Sequence, residues 1–121
     1  DLINSGTEFN YIFANNDMMA QGCYNALKDA GKENIPIVST GGSPDGFKML
    51  QDGIEAANMT APVSIQGVKT FMNLYNKVAL GEDPAEKFTA LPVIPVSADD
   101  TSSYIAWDDY AAAYKYLGEN K

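Results

Sequence analysis

A chain of 121 residues, 45% of them hydrophobic, is long enough for one small domain with its own core. Sixteen acidic residues stand against eight Lys and no Arg, a formal charge of −8 with no acidic or basic block. This disfavours nucleic acid and anionic membrane surfaces as partners and removes the usual bidentate clamp for carboxylate or phosphate. The chain has no His and one cysteine, Cys23, so neither an internal disulfide nor a Cys/His metal cluster is expected.

No apolar run of about 18 residues is present, so no spanning helix is expected. The opening Asp1-Leu2-Ile3-Asn4-Ser5-Gly6 reads as the last turn of a helix closed by glycine, without the body of that helix. The chain is therefore expected to be a fragment of a longer protein. Next, Phe9 to Phe13 is an apolar, beta-forming run that stops at Asn15-Asn16-Asp17. It predicts a buried strand, a tight polar turn and a helix start. In an open parallel sheet such a turn lies outside the carboxyl ends of the strands, where ligands bind. Asn16 has two readings there, a helix cap and a ligand contact.

The following helix is predicted from Asp17 to Ala30, with Met19, Cys23, Ala26, Leu27 and Ala30 on one face and Gly31 as its cap. On that face Cys23 reads as a small buried hydrophobe or a reactive thiol. Ile35-Pro36-Ile37-Val38 is a second buried strand. The loop from Ser39 to Gly46 feeds a short helix with Ser43 as N-cap, Pro44 as first residue, Phe47 and Leu50 as apolar face and Gly53 as stop. Ile54 to Met59 alternates loosely as a third strand, completing β-α-β-α-β, the signature of a right-handed parallel unit.

A longer helix is predicted from Val63 to Leu80, with Ile65, Val68, Met72, Tyr75 and Ala79 on one stripe, Gly67 at a close packing contact and Gly81 as stop. Strands at Pro92 to Val96 and Ser103 to Trp107 follow, then a helix from Asp108 to Leu117 faced by Tyr110, Ala113, Tyr114 and Leu117.

The residues offer little chemistry. Without His, a Ser or Cys nucleophile lacks its commonest base, and no Ser-x-x-Lys arrangement occurs. The paired carboxylates Glu82-Asp83, Asp99-Asp100 and Asp108-Asp109 are adjacent in sequence, diverge on regular elements, and read as surface charges or caps. The glycine loop from Gly41 to Gly46 matches neither G-x-G-x-x-G nor the lysine-bearing phosphate loop, and Asp45 in the first helical turn would repel a phosphate. No catalytic residue, metal or cofactor is therefore assigned. What remains is strand-end loops rich in Asn, Ser, Thr, Asp and Gly, groups that suit neutral polyhydroxyl ligands.

The runs YIFANNDMMAQGCYNALKDAG, IPIVSTGGSPDGFKMLQDG and IEAANMTAPVSIQG resemble, over about residues 7 to 81, the C-terminal part of a periplasmic sugar-binding protein of the ribose and galactose type. These are type I solute-binding proteins of ABC importers, and LacI-type effector domains share their fold. The resemblance implies an incomplete three-layer α/β fold with a parallel sheet. It implies residues to about 60 in one lobe, 62–90 in the other, 92–97 as a strand crossing the hinge and 98–121 as a C-terminal strand and helix. It also implies Asn16 on a sugar hydroxyl, with Asp17, Gly41, Ser43, Thr60 and Ala61 in the ligand-binding set. The chain departs from the ribose-type pattern at two places. Gly41 stands where a carboxylate grips hydroxyls, and Ala61 or the neighbouring Thr60 where a hinge glutamine lies. Ser39, Thr40 or Ser43 either supply the missing acceptors or serve as turn and cap residues. Trp107 reads as core packing or as a sugar-stacking face.

The implied partners are a small neutral sugar or polyol and the membrane permease of an importer, with no nucleic acid. The implied location is the periplasm, or outside the cell as a lipoprotein. An isolated chain of this length would complete its lobes by homo-oligomerisation or lobe exchange, or would fold the Val63 to Leu80 helix onto its own sheet. Two other readings compete: the effector domain of a LacI-type transcription regulator, and a small flavodoxin-like enzyme for which no base, metal cluster or phosphate loop is present.

Overall fold

A computed structural model describes residues 2–91 and 93–119. Asp1, of the predicted opening helix end, and Pro92, first residue of the predicted fourth strand, lie outside them. The chain divides into two compact units. One runs to Ala61 and includes Ile94–Tyr104, and the other comprises Pro62–Val93 and the segment from Ile105.

In the first unit, β1 (Ile12–Ala14), α1 (Asp17–Asp29), β2 (Ile37–Gly41), α2 (Pro44–Gln51) and β3 (Glu55–Thr60) alternate as the sequence predicts, and β4 (Ile94–Ser97) follows. The sheet order is β1-β2-β3-β4. β1, β2 and β3 run parallel, and β4 is antiparallel to β3. Consecutive parallel neighbours joined by right-handed crossovers put α1 and α2 on one face. Between that face and the sheet lie Ala14, Ala20, Leu27, Ile37 and Met49, with Cys23 half-buried against them. β1 is shorter than its apolar run, starting at Ile12, because Phe9 packs beside the core without joining the ladder.

Both helices end in the same hydrogen-bond pattern. Lys32 N donates to Leu27 O at 2.8 Å and Gly31 N to Lys28 O at 3.0 Å. After α2, Ile54 N donates to Met49 O at 2.9 Å and Gly53 N to Leu50 O at 3.0 Å. These are Schellman closures, and they turn the chain back toward the sheet at the glycines the sequence singled out. Met49, absent from the predicted α2 face, is buried beside Leu50, while Phe47 stacks on Tyr104 with ring centroids 3.9 Å apart.

The second unit contains α3 (Val63–Tyr75), a π-helical turn at Asn76–Leu80 and α4 (Tyr110–Glu119). The predicted single α-helix thus changes winding at Tyr75. Along the predicted stripe Ile65 is buried, Val68 and Met72 are half-buried and Tyr75, the last α-helical residue, is exposed; the π turn then breaks the 3.6-residue spacing, and Ala79 is exposed. A Cβ added at Gly67 would meet nothing within 4 Å, so the predicted close contact there is not formed. The predicted Ser103 to Trp107 strand is not formed either, because local turns take the backbone bonds upstream of it. Asp100 N donates to Ser97 O and Tyr104 N to Thr101 O. α4 begins at Tyr110 because Asp109 caps it, accepting from Ala112 N at 2.8 Å. Of its predicted face, Ala113 is buried and Leu117 half-buried, and Tyr110 and Tyr114 are exposed.

Candidate functional site

Three parallel strands bring their carboxyl ends to one edge of the sheet, and all six residues singled out from sequence lie along it. Asn16 follows β1, Asp17 begins α1, Gly41 ends β2, Ser43 caps α2, Thr60 ends β3 and Ala61 follows it. Gly41 pairs with Thr60 in the ladder, and Ala61 N donates to Gly41 O at 3.1 Å.

Asn16 is the N-cap of α1. Its Oδ1 accepts from Met19 N at 2.8 Å, satisfying one of the donors that a helix start leaves free. That bond uses the oxygen of the amide, and Nδ2 has no partner among the described residues. Asp17, next in sequence, points inward and is 5% exposed. Its Oδ2 accepts from Ser43 N at 2.7 Å, and its Oδ1 accepts from Ser39 Oγ at 2.9 Å and Asn58 Nδ2 at 2.7 Å. One carboxylate thereby ties the start of α1 to β2, β3 and the α2 turn. Ser43 is half-buried, and its Oγ accepts from Gly46 N at 3.1 Å as the α2 cap. Thr60 is buried and donates to Ile94 O at 2.7 Å, fastening β3 to β4. Ala61 is exposed.

The glycines of the loop have a steric reason. A Cβ at Gly41, where φ is +138°, would lie 2.8 Å from Asp17 Oδ2, and one at Gly46 would lie 2.4 Å from Asp17 Cγ. A Cβ at Gly42, where φ is +72°, would lie 2.7 Å from Thr60 Cβ. Glycine at 41 and 46 makes room for the buried carboxylate, so a side-chain carboxylate at 41 and the observed Asp17 position exclude each other.

Beneath this edge is a polar cluster whose makeup sequence reading missed. Glu55 (1% exposed), Ser39 and Asn58 (both 0%) join Asp17. Ser39 Oγ lies 2.8 Å from Glu55 Oε1, and Asn58 Nδ2 lies 3.0 Å from Glu55 Oε2 and 2.8 Å from Ser39 Oγ. Residues 55 and 58 would face opposite sides of a regular strand. They share a side because the β2–β3 register slips between Ile37, opposite Glu55, and Val38, opposite Ala57. Burial raises the Glu55 carboxyl above its ordinary range against the lowering effect of the Asn58 and Ser39 bonds, and the Asp17 charge raises it further. The signal that could have revealed the cluster is a charged residue in a strand between two apolar crossovers, which must find partners when buried. A groove between α1 and α2 is bordered by Asp17 and Ser43, but Asn16, Gly41, Thr60 and Ala61 do not line it. Trp107, half-buried, leaves Nε1 enclosed without a partner among the described residues.

No protein-family model matches the chain. It is 34% identical over 91 residues to the ribose import binding protein RbsB of Escherichia coli K12; the match takes in 73% of this chain and 29% of that protein. The Salmonella typhimurium protein of the same name is 34% identical over 88 residues, with the same shares. The chain therefore spans under a third of the length of these curated relatives. Among solved structures, a Bacillus halodurans ABC transporter solute-binding protein with bound myo-inositol superposes with a TM-score of 0.71 at 23% identity, over 97% of this chain and 36% of that one. The periplasmic component of an arabinose ABC transporter from Shewanella sp. ANA-3 gives 0.68 at 24% identity, over 97% and 36%. At these identities the structural likeness establishes the fold.

Proposed function

We propose that this chain, a homologue of the ribose-type periplasmic sugar-binding proteins of ABC importers, forms part of the wall of a sugar cleft in a non-catalytic solute-binding component. The observation that carries this reading is the strand-end edge. Asn16 caps α1 through its oxygen and keeps its amide N–H as a donor, beside the ends of β2 and β3, in a chain 34% identical to RbsB over 91 residues. An amide donor and backbone groups suit hydroxyls, and the acidic balance of the chain disfavours an anionic ligand.

The ligand is a small neutral sugar or polyol, and ribose is disfavoured. A carboxylate at position 41 would add hydroxyl bonds worth about 1.5 to 3 kcal/mol each, and the place its side chain needs is filled by Asp17. The segment to about Thr60 belongs to one lobe and Pro62 to about Ala90 to the other, with 92–97 crossing back between them. The division of the chain into compact units after Ala61 and before Ile94 supports this arrangement. The protein acts outside the cytoplasm, in the periplasm or as a tethered lipoprotein, and delivers its sugar to a membrane permease.

A thermal-shift screen tests the reading on the gene product that contains this chain, using neutral pentoses, hexoses and inositols. At ligand concentrations about 100 times Kd, binding adds about 2.7 kcal/mol and raises the midpoint by several degrees. A screen in which sugars and polyols give no shift, while an amino acid or another solute class does, overturns it.

A further inference from the structure

The buried cluster under the strand ends holds more short contacts than its protons can serve. With both carboxylates ionised, Ser39 offers one proton and the Asn58 amide two. Yet Ser39 Oγ lies 2.9 Å from Asp17 Oδ1 and 2.8 Å from Glu55 Oε1, and Asn58 Nδ2 faces both carboxylates as well. The single Ser39 proton can lie on one of its two carboxylate contacts only. The other would then be two oxygen lone pairs face to face in the interior, where water cannot screen them.

We propose that Glu55 is retained as the neutral acid and acts as a positioning residue, donating its proton through Ser39 so that Asp17 alone carries charge and holds the strand-end loops. A fourth proton, on Glu55 Oε1, gives each of the four contacts to a carboxylate its own donor, while Asn58 Nδ2 approaches Ser39 Oγ at 2.8 Å with both its protons already committed. Glu55 donates to Ser39 Oγ, Ser39 donates to Asp17 Oδ1, and Asn58 divides its two N–H groups between Asp17 Oδ1 and Glu55 Oε2. Asp17 Oδ2 stays free to accept from Ser43 N, and its carboxylate stays seated between Gly41 and Gly46.

Burial of Glu55, the largest cause, favours the same state against the lowering effect of its bonds to Asn58 and Ser39, and the surrounding elements bring no cation to it. On α1 the facing charged group is Asp17, of like sign. β2 contributes Ser39 and β4 has no charged residue. On α2, Lys48 is exposed and paired with Asp52 at 2.7 Å, and Asp45 is exposed, so no cation reaches Glu55. Loss of the proton to solvent places two anions around Ser39 and loosens the Asp17 tie to Ser43 and, through it, the turn that carries Asn16.

The sign follows from linkage. A carboxyl whose folded pKa lies above its unfolded value stabilises the fold fully below the unfolded value, and that contribution disappears as pH rises through the folded value. Urea unfolding of the wild-type chain, followed from acid to mildly alkaline pH, is compared with Glu55→Gln, which replaces the O–H donor by N–H at similar volume. The unfolding constant of the wild type rises by up to about tenfold per pH unit between the unfolded and folded pKa values, relative to the variant, and levels off above the folded value. Parallel pH profiles overturn the proposal. A second readout needs no variant: the carbonyl stretch of an undissociated carboxyl persists in the infrared spectrum above the ordinary Glu range, and the Ser43 amide resonance titrates with it. Absence of that band overturns the proposal even if Glu55→Gln does not fold. Neither measurement involves a sugar, so failure here leaves the sugar-binding reading standing, and an absence of sugar binding leaves the retained proton standing.

Discussion

Replacing Gly46 by Ala tests whether the buried Asp17 carboxylate dictates the glycine pattern of the loop. In a helix, Gly to Ala ordinarily stabilises by about 0.5 to 1 kcal/mol, because alanine loses less backbone freedom. Gly46 has ordinary helical backbone, so that gain is available in principle. The added methyl, however, would lie 2.4 Å from Asp17 Cγ, 2.5 Å from Oδ2 and 2.7 Å from Oδ1. Ordinary contact begins about an ångström further out, so Asp17 must move, and it is fixed by Ser43 N, Ser39 Oγ and Asn58 Nδ2 at 2.7, 2.9 and 2.7 Å. Overpacking of this kind costs about 1 to 3 kcal/mol, and stretching even one charge-assisted bond adds about 1.5 kcal/mol more. Net of the helix gain, Gly46→Ala should lose about 2 to 3 kcal/mol. Gly22→Ala in α1 is the control: a Cβ there meets nothing within 4 Å, so it should gain about 0.5 to 1 kcal/mol. Urea unfolding of both variants measures the difference, about 3 kcal/mol. If Gly46→Ala matches Gly22→Ala, the argument from Asp17 is refuted.

Other substitutions separate the roles along the same edge. Asn16→Ala should cost about 1 kcal/mol of stability through the lost α1 cap, whereas Asn16→Ser keeps a capping oxygen and should cost at most half of that by urea unfolding. Ser43→Ala removes the Oγ that accepts from Gly46 N and should lower stability by about 1 kcal/mol in the same assay. Asp17→Asn leaves Ser43 N, Ser39 Oγ and Asn58 Nδ2 competing for one acceptor and should cost about 2 to 4 kcal/mol. Because burial is the larger cause of the raised Glu55 carboxyl and Asp17 the smaller, Asp17→Asn should leave Glu55 titrating above its ordinary range, which carboxyl-carbon NMR would detect.

The alternation of strands and helices was legible because each break carried local chemistry: Asn16 and Ser43 as caps, Pro44 at the first helical position, Gly31 and Gly53 as stops. These act within a few residues, and the structure places them as the sequence implies. Illegible were features decided by distant partners. Nothing in Gly41-Gly42-Ser43-Pro44-Asp45-Gly46 discloses that two of its glycines surround a carboxylate 24 and 29 residues upstream, since the collision exists only after folding. Glu55 and Asn58 share a face through a register slip that strict alternation cannot foresee. Ser103 to Trp107 read as a strand on composition, yet the Asp100 and Thr101 turns claim the chain first. In the second unit the apolar stripe was right as far as Met72 and lost where the winding changes.

Calorimetric titration of the sugar found by the screen, on the wild type and on Asn16→Ser, isolates the contribution of the Asn16 amide donor to binding. Serine can still cap α1 but lacks the amide donor. An Asn16 that donates to the sugar gives the variant an affinity lower by about 1 to 3 kcal/mol, a rise in Kd of about five- to 150-fold, with the thermal midpoint of the sugar-free protein nearly unchanged. An unchanged Kd would remove Asn16, and with it the strand-end edge, from the binding site.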